Sequence, residues 1–184
     1  MQRDATASAT MPYPRTRQWL HWVSAALILT MPVSGTLMAR TADDGLRLNL
    51  YQAHLLVGWV VVVLMLVRVV QRVRRPVASP EGLAPWNRAL LGGVHWLITI
   101  VPLALAVSGS ATVLQNDLGP LLQAGTPPPA TLAVTQARDA HQAGAYFFLA
   151  LFVVHVAGVV RYQTTRGDAL ARMGLRGVPS GRRG

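Results

Sequence analysis

Four apolar runs, residues 19–38, 48–70, 89–114 and 140–160, restrict this chain to a narrow set of folds. Each is long enough to cross a bilayer core, which takes about 20 residues of helix, and none contains an Asp or Glu. Lipid offers no water to backbone N–H and C=O groups, so only helices or closed barrels can span it. Long apolar runs without alternation point to helices. The Val-rich stretch at 60–63 fits this, because a lipid-embedded backbone has no alternative to internal hydrogen bonding. Pro102 and Gly109 in the third run are tolerated in membrane helices. The first run follows Arg15 and Arg17 in the charge order of a signal peptide. It exceeds a usual signal core, however, and carries His21 among tryptophans, which reads as a retained helix. The expectation is an all-α integral membrane four-helix bundle. Its helices fall at about 17–38, 48–70, 89–114 and 140–160 of a single domain, 1–176, followed by a flexible tail, 177–184.

Charge decides orientation and excludes other classes. Charged residues make up 13% of the chain, against about 25% in soluble domains. The net charge of +10 comes with seventeen arginines and no lysine. These arginines flank the spans instead of lining one polar face, which argues for membrane orientation and against nucleic acid. Arg3, Arg15 and Arg17 precede the first span; Arg68, Arg72, Arg74, Arg75 and Arg88 surround the middle connection. Arg161, Arg166, Arg172, Arg176, Arg182 and Arg183 follow the fourth. The two remaining connections are close to neutral. The positive-inside rule then places both termini and the middle connection in the cytoplasm. With no Cys in the chain, disulfides, thiolate-held iron–sulfur clusters and covalent c-type haem are excluded.

The five histidines sort by depth. His141 and His155 are fourteen residues apart on the fourth span, which returns them to nearly one face and separates them by roughly 21 Å. On the expected topology His54 and His141 form an outer pair, while His21, His95 and His155 form an inner trio. Ionisable side chains inside a membrane are costly and point to function. Low-spin haem needs two axial ligands, for which neutral imidazole is suited, and facing helices of a bundle can supply one each. Structural zinc wants four ligands, usually with Cys or carboxylate, and the spans supply neither. His95 is the odd member; it suits a haem propionate, a quinone pocket or a backbone group. Arg68 and Arg161 are placed to pair with propionates, and Arg17, Arg68 and His95 to contact quinone carbonyls. Gly58, Gly144 and Gly158 follow histidines closely. They fit either access of a flat macrocycle or ordinary packing through small residues.

The sequence resembles the bacterial cytochrome b561 family, similar in turn to the cytochrome b subunits of nickel–iron hydrogenases. The resemblance runs from Arg17 to about Gly174. It rests on Leu20-His21-Trp22, His54-x3-Gly58, His95 with Pro102 and Ser108-Gly109, His141-x2-Gly144, and His155 with Arg161 and the stretch 167–173. It implies two b haems, with His54 paired to His141 near the periplasm and His21 to His155 near the cytoplasm, and leaves His95 outside the axial set. It further implies electron transfer in the bacterial inner membrane between quinone, such as ubiquinone, and a periplasmic donor or acceptor. One branch resembles a superoxide oxidase that reduces ubiquinone. The chain departs from a lysine-rich outer surface suited to superoxide. Two other functions remain open: a non-catalytic haem-bearing anchor for a periplasmic redox partner, and a histidine-based metal-binding or transport protein.

Overall fold

A computed structural model describes residues 12–76, 84–166 and 169–175. The tail 177–184, residues 1–11, Glu81, Gly167 and Asp168 lie outside the described residues. The chain forms helices α1 (Arg15–Arg40), α2 (Asp44–Arg74), α3 (Pro85–Gln115), α4 (Leu118–Gln123), α5 (Gln136–Arg166) and α6 (Ala169–Arg172). Helices α1, α2, α3 and α5 are long and apolar enough to cross a membrane. The all-α four-helix architecture is the one the apolar runs predict.

The helices extend beyond those runs. A helix of 31 residues, such as α2, α3 or α5, rises about 46 Å, against about 30 Å of hydrocarbon. Backbone hydrogen bonding does not stop where hydropathy does, so the turns outside lipid need other support. Asp43 caps α2, its carboxylate accepting from the Leu46 N–H at 2.6 Å, and Arg72 and Arg74 occupy the last turn of α2, where cations complement the helix dipole. Pro85 opens α3 at a position whose N–H has no helical partner. Two short helices lie beyond what hydropathy indicates. The first, α4, begins at Asp117 in the left-handed region (φ +50°) and is held by Leu118, which is fully buried.

Packing divides the bundle into halves. Helix α1 lies chiefly on α2, and α3 on α5, with a lighter contact between α2 and α3. Direct contact of α5 with α1 or α2 is slight among the described residues, leaving an open seam between the halves. Trp59, Val63, Val107 and Val153 point outward, as lipid-facing side chains must. The two ends differ in their connections. At one, the termini end, the Tyr13 N–H donates to the Arg172 carbonyl at 2.9 Å. Nearby, Trp22 Nε1 donates to Met173 O at 3.0 Å and Arg17 to Arg75 O at 2.9 Å. At the other, the loop end, the segment between α3 and α5 folds over the bundle. Buried Arg47 donates to Pro128 O at 2.8 Å and pairs with Asp44, and Gln52 donates to Leu122 O at 3.1 Å.

Candidate functional site

Four histidines meet across the seam in two pairs. At the loop end His54 of α2 faces His141 of α5, with ring centroids 6.3 Å apart and planes at 70°. At the termini end His21 of α1 faces His155 of α5, again at 6.3 Å, with planes at 55°. Each pair therefore joins one half of the bundle to the other. The spacing has a chemical meaning. A metal–imidazole bond of about 2.0 Å, and ~1.1 Å from the bonded nitrogen to the ring centre, put two imidazoles on opposite sides of one metal ~6.2 Å apart. Both pairs fit an iron held between two axial ligands.

The space around the loop-end pair is walled mainly by apolar side chains. An open cavity there is lined by His54, His141, Gly58, Pro102, Gly109 and Phe148 among others. Gly109 sets how closely α3 can approach. A Cβ there would stand 3.0 Å from Cε1 and 3.2 Å from Nδ1 of His141, so a side chain would push the imidazole out of line. The other glycines divide. A Cβ at Gly144 would meet Leu105 Cδ2 at 2.9 Å, whereas one at Gly58 would make only an ordinary contact with Met31 Cε at 3.4 Å, and Gly58 lines the cavity. Gly158 has open space beside it, with nothing within 4 Å.

Hydrogen bonds fix the loop-end rings. His141 Nδ1 lies 2.9 Å from the Leu105 carbonyl and 3.3 Å from Ser108 Oγ. A carbonyl can only accept, so Nδ1 carries the proton and Nε2 keeps the lone pair that a metal needs. His54 Nδ1 lies 2.9 Å from Ser34 Oγ. Sequence reasoning passed over Ser34. The clue it offered was depth: Ser34 is thirteen residues beyond His21, a rise of about 20 Å, which brings α1 level with the outer pair.

The termini end is built otherwise. His95 sits 5.3 Å from His155 at 76°, about 1 Å less than an intervening metal requires. Its Nδ1 is held by the carbonyl of Leu91, one turn back on its own helix, at 2.8 Å. Arg68 is within electrostatic reach of His21, His95 and His155. Its charged neighbours are Arg72 and Arg17, with no carboxylate among the described residues. Arg72 stacks over Trp96 at 4.7 Å and Arg17 over Tyr13 at 5.7 Å. Among the described residues no group of three His or acidic side chains could hold a bare metal ion.

The prokaryotic cytochrome b561 family model matches residues 13–175, nearly the whole chain. The chain belongs to that family. It is accordingly a multi-pass bacterial membrane protein that binds b-type haem and transfers electrons. No single curated protein matches it.

Proposed function

We propose that this cytochrome b561 holds two b haems, one between His54 and His141 and one between His21 and His155, and carries electrons between a periplasmic donor and membrane quinone. The observation that supports the reading most is the shared 6.3 Å separation of two imidazole pairs, one at each end of an open seam. Bound haem supplies one-electron chemistry, with iron passing between the ferric and ferrous states. The protein supplies the rest. The Leu105 carbonyl keeps His141 Nδ1 protonated, and the walls beside the loop-end pair are mainly apolar. At the termini end, Arg17 and Arg68 are the donors for propionates or for the carbonyls of bound quinone, and His95, whose Nδ1 proton goes to Leu91 O, can donate from Nε2 only when protonated. Arg donates without losing its charge, and His can pass the accompanying proton.

Arginine bias puts the termini end in the cytoplasm of a cell bounded by this inner membrane, and the loop end in the periplasm. Superoxide is the specific donor proposed and ubiquinone the acceptor. The near-neutral loop end, without a single Lys, favours a second reading: a haem-bearing anchor that receives electrons from a periplasmic redox partner.

The decisive experiment is a redox study of purified holoprotein. Pyridine haemochrome analysis should give two haems per chain, all extractable into acid acetone. Superoxide should convert the spectrum to the reduced b type, and ubiquinone should reverse it. Reduction by quinol but not superoxide selects the relay reading. One haem per chain, or haem retained on the polypeptide, overturns the assignment. Reporter fusions should be cytoplasmic after Arg75 and periplasmic near Gly125; the reverse pattern would exchange the two sites.

A further inference from the structure

Of the two loop-end imidazoles, His141 is held by a backbone carbonyl, but among the described residues His54 hydrogen-bonds only to a side chain. That side chain is Ser34, on α1, the helix that carries His21 of the other pair. Its hydroxyl oxygen lies 2.9 Å from the Thr30 carbonyl and 3.1 Å from the Met31 carbonyl. The single hydroxyl proton therefore goes back to its own helix, a common arrangement for Ser in a helix interior. The lone pairs remain and face His54 Nδ1 at 2.9 Å. A metal on Nε2 leaves the proton of a neutral imidazole on Nδ1, so the ring donates and Ser34 accepts. The neighbouring backbone is close as well. A Cβ at Gly35 would lie 3.6 Å from His54 Cε1, so the ring rests against α1 at this turn.

We infer that Ser34 is a positioning residue for the loop-end haem, its hydroxyl fixing the tautomer and plane of His54 and tuning the reduction potential of that site. The inference rests on reading His54 as an axial ligand. Acceptance of the Nδ1 proton raises the basicity of a ligating imidazole and favours the more oxidised metal. No such bond is present on His21 or His155 among the described residues, so the effect is confined to one site. Ser34 thus ties the loop-end pair to α1, a helix that supplies no ligand there.

The test uses purified holoprotein of the wild type, Ser34→Ala, Ser34→Thr and His54→Ala, with haem counts, redox titration and low-temperature electron paramagnetic resonance. Ser34→Ala should raise the potential of one haem, move the largest g value of that haem alone, and speed its loss to a haem acceptor by at least about tenfold. Ser34→Thr, which keeps the hydroxyl, should restore all three. If Ser34→Ala retains one haem only, two haems with wild-type signals in Ser34→Thr still support the role. Unchanged signals in Ser34→Ala, equal shifts of both haems, or failure of Ser34→Thr to restore them overturn it. Two haems in His54→Ala would instead overturn the ligand reading itself.

Discussion

The loop end and the termini end carry the same 6.3 Å imidazole pair in opposite surroundings. At the loop end the rings are tied by Ser34, Leu105 and Ser108, α3 presses on His141 through Gly109, and a folded segment closes the bundle over them. At the termini end a third histidine crowds the pair, and Arg68 beside it has only other arginines as charged neighbours among the described residues. A preorganised ligand set needs little from its cofactor beyond the bond to iron. A set with an arginine that meets no carboxylate among the described residues suits an anion or a carbonyl. On the proposed function, one end would hold its haem and the other would both hold and exchange.

The ligands themselves test this contrast most severely. Replacing His54 or His141 with Ala should remove the loop-end haem, and replacing His21 or His155 the other, each lowering the haem count from two to one. Loss of both haems from one substitution would mean that the halves do not assemble independently of their cofactors.

Gly109 comes next. Gly109→Val places side-chain atoms where the His141 ring now stands. Overpacking of this kind costs typically ~1–3 kcal/mol, spent here on ligand geometry. Loop-end haem occupancy should fall while the other stays full. Gly92→Ala and Gly93→Ala, with nothing within 4 Å of the added carbon, are the controls and should leave both haems in place. An unaltered loop-end spectrum in Gly109→Val would show that α3 yields easily, and that the end is less rigid than its hydrogen bonds suggest.

Arg47 should have a smaller effect, on the cover and not on the cofactors. Its side chain is buried, donates to Pro128 O at 2.8 Å and pairs with Asp44. Hydrogen bonds from a charged donor contribute about 1.5–3 kcal/mol each, and Arg47→Met removes the donors while keeping bulk. Amide hydrogen exchange over 118–132 should accelerate, with both haems retained. Exchange at the wild-type rate would make the segment self-supporting.

Much of this contrast was legible in the sequence, and the rest was hidden for physical reasons. Spans follow from hydropathy because lipid permits few alternatives, and the pairing of His54 with His141 follows from depth. Helix ends were not readable, since hydrogen bonding continues past the last apolar residue, as in α2 to Arg74. Helix α4 was missed because Pro120 and Gly125 mark a loop, whereas burial of Leu118 is a tertiary matter. The supports of the site were missed for a related reason. Ser34 went unnoticed and Gly109 entered only as a motif residue without a role, because both act across a helix interface, and hydropathy and spacing along one chain do not report which residues face each other.

The smallest expected effect belongs to His95, and it bears most directly on the termini end. Its ring is 5.3 Å from His155, too close for iron to lie between them, and Leu91 O already holds its Nδ1. His95→Ala should therefore keep both haems, with the count still two. The bond released is internal to α3, so stability should change little beyond the packing lost around Trp96 and Arg72. What should change is the rate at which reduced protein is reoxidised by ubiquinone, because a proton-exchanging side chain beside Arg68 has gone. His95→Gln, which keeps hydrogen-bonding groups but cannot exchange a proton near neutral pH, separates the two contributions. Slow reoxidation in both variants assigns the role to the proton; slow reoxidation in Ala alone assigns it to the hydrogen bond. Wild-type rates in both would remove His95 from the quinone reading and leave the termini end distinguished by its arginines. Loss of a haem in His95→Ala would go further, making His95 the partner of His155 and reducing the comparison to one well-defined pair and one misread trio.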